Sequence, residues 1–402
     1  MVGVGTALAL QSRGWSVALV DRGGPGSETS YGNAGIIEAE AAEPFAMPRD
    51  LSSLLAIAAG RRNDVIWDLP GLFRQAPALW RYYSASAPAL HRVTGSHYAP
   101  LTRRSTADHA PLIEASGAEQ LIRRTGFYVV VRSDAELAAL ASHAERLRQD
   151  YGVGSQILDG SALRRQEPVS EKASGAILWT DAWSCTDPGA LTRAYADLFV
   201  KRGGTLVKAD AVSLRRGTRG WTLGDLEAEH VVVCLGPWSP EFLRRFADVS
   251  LPMIFKRGYH RVMHAATAPS RPMLDSVNGI MMAPMQDGLR LLTGADLGGR
   301  AATDPRQLER GEIVARELVD IGQRSAAPVW AGRRPCMADM LPVVSEVPGH
   351  SGLWLNTGHG HQGFTLGPTT GALLADAMAG GEPLPQALKL SRLRGHRWRT
   401  AP

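Results

Sequence analysis

Cysteine is scarce in this chain. Cys185, Cys234 and Cys336 are the only three in 402 residues, an odd number with neither metal-ligand nor redox spacing. A disulfide framework is thereby excluded and a reducing compartment is the expectation. Long apolar runs are missing too, and no basic segment precedes the apolar start, so neither a spanning helix nor a secretory leader is expected. These absences point to a cytoplasmic protein, soluble or peripheral on the inner membrane. Charge of one sign is not concentrated: the formal balance is +5, and arginine pairs such as Arg61-Arg62, Arg164-Arg165 and Arg333-Arg334 are scattered. A nucleic-acid binder would cluster them with exposed aromatics, so no nucleic-acid partner is expected. Only the tail gathers basic residues, from Lys389 through Arg392, Arg394, Arg397 and Arg399 with Trp398 among them. It is either a contact for an anionic membrane surface or a frayed terminus. Internal repeats and low-complexity linkers are absent as well.

What is present is an ordinary globular balance, 44% hydrophobic and 21% charged, in a chain long enough for two interleaved domains. Thr6 to Gln11 reads as a helix with small and aliphatic residues inward, Gly14 as its stop, and Trp15 to Val20 as a short buried strand ending in Asp21. Together these are the helix and second strand of a dinucleotide-binding βαβ unit. If Gly3 is the third glycine of G-x-G-x-x-G, the first two and their strand fall upstream of Met1, and a truncated start is expected. The other alignment, with Gly3 and Gly5 as the first two glycines, puts Leu8 where Gly or Ala is needed. Further strands are expected at Phe127 to Arg132, Gly175 to Trp179, Ala211 to Leu214, His230 to Leu235 and Leu289 to Thr293. Helices are expected at Asp134 to Gln149, Pro188 to Lys201, Gln307 to Asp320 and Thr369 to Ala379.

Four segments carry candidate chemistry. Asp21, with Arg22 beside it, ends the second strand, where a carboxylate accepts from both hydroxyls of an adenosine ribose. Behind it runs a loop rich in glycine and hydroxyls, with Thr29, Ser30, Asn33, Ala34 and Gly35, whose backbone N–H groups can approach a phosphate or a flavin edge. The run Val231 to Ser239 carries a buried strand into a turn at Gly236 and Trp238. The most informative segment, Gly358-His359-Gly360-His361-Gln362-Gly363-Phe364-Thr365, follows a short strand and opens a helix. A helix N-terminus supplies unpaired donors and a positive dipole end, suited to negative charge developing on a reduced flavin. His359 and His361 have no Cys or carboxylate partner nearby, so a metal site is not expected.

Taken in order, these residues resemble the glycine/D-amino-acid oxidase superfamily, and within it the bacterial D-amino-acid dehydrogenase small subunits. The resemblance runs from Gly3 to about Gly380. It rests on Glu28-Thr29-Ser30 with Asn33-Ala34-Gly35, Asp187-Pro188, Lys256-Arg257-Gly258-Tyr259-His260, Gly288-Leu289-Arg290, Gly332-Arg333-Arg334-Pro335 and Gly358 to Gly371. It implies an α/β fold: a discontinuous Rossmann-like FAD-binding domain (1–45, 160–240 and 340–402) and a second, mixed-sheet α+β substrate domain (46–159 and 241–339). It implies FAD contacts at Gly3, Asp21, Arg22, Thr29, Ser30, Asn33, Ala34, Gly35, Val212, Gly236, Trp238, Gly358, His359, Gly360, Gly363, Phe364 and Thr365. Arg334 takes the place of the group that holds a substrate carboxylate, with Tyr259 and His361 as further positioning residues.

The reaction this implies is FAD-dependent oxidative deamination of a D-amino acid, with electrons passed to a quinone or another redox protein. Such chemistry needs a neutral amine, a well-aimed Cα–H and a dry site, and the cofactor does the difficult part. No catalytic base is assigned. Two rivals stand beside it: a dehydrogenase or oxidase of D-hydroxyproline or another secondary or cyclic amino acid, and a flavin-free subunit of the same fold.

Overall fold

The computed structural model describes residues 1–217, 220–247, 249–298 and 305–393. Of the basic tail, Arg394, Arg397, Trp398 and Arg399 lie outside the described residues. Arg392 is folded in, pairing with Asp339 at 2.8 Å.

The chain opens on helix α1 (Val2–Gln11) and strand β1 (Ala18–Asp21), followed by a short strand β2 (Ile36–Ile37). Four helices come next, α2 (Leu51–Ala58), α3 (Leu69–Ala85), α4 (Pro88–Arg103) and α5 (Ser105–Ala115). Strand β3 (Phe127–Val131) leads into α6 (Asp134–Tyr151), β4 (Ser155–Asp159) and β5 (Gly175–Trp179). Helix α7 (Pro188–Lys201) begins where the Asp187 side chain accepts from the Ala190 N–H at 2.8 Å. The Asp187-Pro188 pair is thus a helix start, with the proline at a position that needs no donor.

Two parallel ladders form the nucleotide side. β1 pairs with β6 (Thr205–Lys208), and β7 (Val231–Val233) pairs with a later strand, Leu353–Thr357. Helix α1 bridges them: a Cβ added at Gly3 would stand 3.5 Å from Cys234 and 3.7 Å from Leu19. The closing helix, Gly363–Met378, crosses α1 so tightly that a Cβ at Gly5 would sit 2.9 Å from the Gly367 backbone.

The second layer is a mixed sheet of eleven strands. Its spine is β8 (Met253–His264), continued by β9 (Met273–Asp275), β10 (Ile280–Met285) and β11 (Gly288–Thr293). Helix α8 (Arg306–Leu318) covers one face, and β12 (Trp330–Met337) pairs antiparallel with β8. β13 (Val343–Glu346), β14 (Leu353–Thr357) and α9 (Gly363–Met378) return to the nucleotide side. The fold is therefore α/β, with a discontinuous Rossmann-like part beside a mixed-sheet α+β part.

Side chains alternate across a strand. Tyr259 and Met263 of β8 face α8 and join a core with Tyr128, Leu291 and Leu308. Lys256, Gly258 and His260 point the other way, toward the cofactor loops. Arg290 fastens the two layers, donating to the Tyr31 and Asn33 carbonyls at 2.8 and 3.1 Å.

Three expectations are corrected. Ala211–Ser213 is a single 3-10 turn rather than a strand, because the Asp210 carboxylate accepts from the Val212 N–H at 2.9 Å and closes a local turn. β5, expected in the cofactor domain, pairs with β3 and β4 in the large sheet. Conversely α5, expected with the substrate domain, packs on α9. Its buried His109 lies 3.1 Å from the Phe364 carbonyl and 2.9 Å from the Tyr195 hydroxyl.

Candidate active site

A single cavity of about 1690 Å³ runs from the nucleotide ladders to the β8–β12 face. Val17, Leu19, Val231 and Val233 line one end of it. Asp21 lies here, its Oδ1 accepting from the Gly23 and Gly24 N–H groups at 2.8 and 2.7 Å. This turns the following loop toward the cavity and leaves Oδ2 as acceptor. Arg22 stacks 4.5 Å over the Trp238 ring and pairs with Glu28 at 3.0 Å. Val212 and Gly236 line the same end. Further in come Thr29, Ser30, Asn33 and Ala34, with the Asn33 Oδ1 accepting from the Gly35 N–H at 2.7 Å.

The structure tests whether these residues suit a dinucleotide. Helices α2, α3, α6 and α7 begin with side-chain caps from Asp50, Asp68, Ser133 and Asp187. Helices α1, α4, α5, α8 and α9 have no side-chain cap, and of these α1 and α9 have their first residues, Val2, Gly3, Val4, Gly363 and Phe364, on the cavity. Two sets of uncapped donors with positive dipole ends thus face one cavity, as a pyrophosphate and an electron-rich ring require. FAD fits.

Three of the expected cofactor contacts do not line the cavity. Gly35 (φ +74°) packs under the loop, where a Cβ would collide with the Cys185 carbonyl oxygen. Gly358 backs onto Met337. The Thr365 hydroxyl is taken up inside, accepting from the Glu38 N–H at 3.2 Å and donating to Ile36 O at 3.3 Å. His359 and Gly360 line the cavity. The His359 ring, however, is buried against the Thr370 hydroxyl at 3.0 Å, and burial drives its pKa down to about 3.

At the far end Lys256 and Arg334 are paired directly across the β8–β12 ladder, which puts both on the cavity face. The Arg334 guanidinium lies flat on Gly258, where a Cβ would stand 2.6–2.8 Å from its terminal atoms. Its N–H groups donate to Thr293 O at 3.0 Å and to Gly294 O. The Lys256 ammonium donates to the Tyr82 hydroxyl at 3.2 Å and rides 4.3 Å over that ring. Burial works against this ammonium, but Tyr82 and Cys336 outweigh it and its pKa stands above the ordinary value. His361 stacks edge-on to Phe45 at 5.0 Å; burial first, then Lys256 and Arg334, holds its imidazole neutral, well below the usual range. Glu38 also lines the cavity, its carboxylate accepting from the Gln362 amide.

Tyr259 is among the residues that line the cavity, but its side chain leaves that face. It belongs to the opposite face of β8, where its hydroxyl donates to Asp296 at 2.8 Å in a buried cluster with Arg257. Lys256, Tyr82 and Glu38 line the cavity without having been expected there. The alternation along Lys256-Arg257-Gly258-Tyr259-His260 is the one signal that separates the two faces; nothing local marks Tyr82 or Glu38.

Comparison with known proteins agrees with this geometry. The description of the DAO family, FAD-dependent oxidoreductases, matches residues 1–377. The chain belongs to that family. It is 27% identical to a D-amino-acid oxidase of Bradyrhizobium diazoefficiens over 95% of this chain and 94% of that one. It is 29% identical to a D-amino acid dehydrogenase of Rhizorhabdus wittichii over 95% of each. Among solved structures, glycine oxidase from Geobacillus kaustophilus superposes with a TM-score of 0.74 at 23% identity, covering 99% of this chain and 96% of that chain.

Proposed function

We propose that this FAD-dependent oxidoreductase oxidises a D-amino acid at Cα and passes the electrons to a quinone or another redox protein rather than to oxygen. The observation that carries the reading is the Lys256–Arg334 pair. Both cations are half-buried and line the cavity, and neither has a carboxylate within ion-pair distance among the described residues. Withdrawing a cation from water without a counter-ion costs free energy, and an anionic ligand relieves that.

In this reading the α-carboxylate lies between the two cations. The guanidinium gives a planar fork whose orientation is set by the Thr293 and Gly294 carbonyls, and Lys256 adds a point charge held by Tyr82. Phe45, Leu79, Met281 and Leu292 line the same space and keep water from it. His361, neutral, adds no competing charge. The first turns of α1 and α9 and Asp21 would hold FAD, which would supply the two-electron acceptor for the reaction at Cα. The preference for the D-enantiomer and for an acceptor other than oxygen is supported by the names of the dehydrogenase relatives. Among the described residues no helix is long and apolar enough to cross a membrane, and the proposed setting is the cytoplasmic side, where a quinone pool is within reach.

The test is a panel of D- and L-amino acids given to the flavin-loaded protein, with dye reduction and oxygen uptake measured on the same substrate. D-selective dye reduction with little oxygen uptake is expected. Fast peroxide formation without dye would make the protein an oxidase.

A further inference from the structure

Outside the carboxylate anchor, the cavity holds one acidic group within reach of the Arg334 charge that the reading above leaves without work. Glu38 follows β2 in the loop Glu38-Ala39-Glu40 and opens on the cavity. Its carboxylate accepts from Gln362 Nε2 at the start of α9, and its backbone N–H is held by Thr365. The charge of Arg334 reaches it without an ion pair forming. The other acids of the cavity lie elsewhere or are engaged: Asp21, Glu28, Asp210, Glu227 and Glu241 lie with the nucleotide ladders, and Asp64 is paired with Arg62 at 2.6 Å.

A free amino acid is a zwitterion, with its two charged groups a bond apart on either side of Cα. A site complementary to it needs cationic and anionic groups in one space, and the cavity has that arrangement in Glu38 and in Arg334, which acts on Glu38 and is paired across the ladder with Lys256. We propose that Glu38 holds the substrate's amino group and removes its proton before oxidation. This rests on the amino-acid reading given above. The steps balance. The ammonium N–H proton passes to the Glu38 carboxylate, leaving a neutral amine with a lone pair. That lone pair forms the C=N bond as the Cα–H bond breaks, and the hydride leaves to FAD. Glu38 then releases its proton to solvent as the product departs.

The environment of Glu38 suits the task. Burial raises its pKa to about 7, while the Gln362 hydrogen bond and Arg334 oppose the rise. The groups that act on it are Gln362 at the start of α9, Arg334 on β12, Glu40 on its own loop and Tyr98 on α4; beyond them, Arg103 acts on Glu40, Cys336 on Tyr98, and Lys256 on Cys336 and His361. Glu40 is raised well above the usual carboxylate range, by burial and by Glu38. Tyr98 and Cys336 are pushed up by burial, and His361 is held neutral. Glu38 is therefore the group of this set that titrates near neutrality, where a base works best.

The test compares the flavin-loaded wild type with Glu38→Gln, which keeps the volume and an acceptor for Gln362. For the wild type, kcat/KM should rise through an inflection near 7. The variant should lose that inflection, fall on the order of 10²-fold at neutral pH, and recover toward wild type in alkali, where the amine arrives already neutral. A second measurement reads binding to the reduced protein, which cannot turn over. Glu38→Gln should weaken D-alanine and leave propionate, which lacks the amine, within about twofold, since only the contact to the amine is lost. An unchanged pH profile, or equal weakening of propionate and D-alanine, overturns the role of Glu38. No oxidation of any amino acid by the wild type overturns the parent reading, and this proposal with it.

Discussion

Replacing Arg334 should separate the proposed carboxylate recognition from cofactor binding. Its guanidinium is wedged between the Gly258 backbone and the carbonyls of Thr293 and Gly294, so Arg334→Ala removes one half of the anion site and strands two acceptors. Truncating one partner of a desolvated charge pair costs roughly 2–5 kcal/mol. Lys256 stays in place across the ladder, which puts the loss in the lower part of that range, about 30- to 300-fold in kcat/KM. Arg334→Lys keeps the charge and loses the fork, so an intermediate loss is expected. Gly258→Ala offers a third route. Its Cβ, 2.6–2.8 Å from the guanidinium, displaces the fork without touching its charge, and a loss of about tenfold is expected, the order of one misaligned charged hydrogen bond. All three should retain FAD, because Arg334 faces the substrate end of the cavity. The assay is kcat/KM for the best D-amino acid beside that for its decarboxylated amine, with flavin content measured in parallel. If Arg334→Ala still prefers the amino acid over the amine while FAD stays bound, the carboxylate is held elsewhere.

Tyr259→Phe should leave kcat/KM within about threefold, since its hydroxyl serves Asp296 on the far face; the loss should show in the melting temperature, on the order of 1 kcal/mol. Arg132 pairs at 2.8 Å with Asp275, which is fully buried; Arg132→Ala should lower stability by roughly 3–5 kcal/mol in denaturant titration, with the flavin spectrum of the remaining folded protein unchanged. His109 is held neutral by burial, its pKa near 4 in the fold against an ordinary 6.5. The unfolded chain therefore takes up the proton first as pH falls. Its contribution, on the order of 3 kcal/mol, is intact above the ordinary value and is lost as pH drops toward 4. His109→Gln should flatten the fall in melting temperature over that window, and an unchanged slope would remove His109 as a cause.

Elements with a strong local signal were legible. Phe127–Val131 and Gly175–Trp179 are β-branched or aromatic runs, and Pro188–Lys201 carries its own cap in Asp187. Helices α2 to α5 were not read, for a physical reason. Pro77, Pro100 and Pro111 lie inside α3, α4 and α5, and α3 leaves Leu69, Phe73 and Trp80 exposed, so the apolar period is broken. Most of the expected cofactor residues do line the cavity, because glycine-rich turns after strands announce themselves. The far end of the cavity was less legible. Arg334 stood out, but its pairing with Lys256 depends on the β8–β12 register, and Tyr82 and Glu38 are brought in by α3 and by a loop with no motif.

The most direct measurement mixes the FAD-loaded protein with single amino acids in the absence of oxygen and follows the oxidised flavin band. The account predicts that a D-amino acid bleaches it in one turnover, that the L-enantiomer and the decarboxylated amine do so far more slowly, and that Arg334→Ala narrows the gap between acid and amine. A protein that takes up FAD, yet whose flavin no amino acid of either hand reduces, would contradict it.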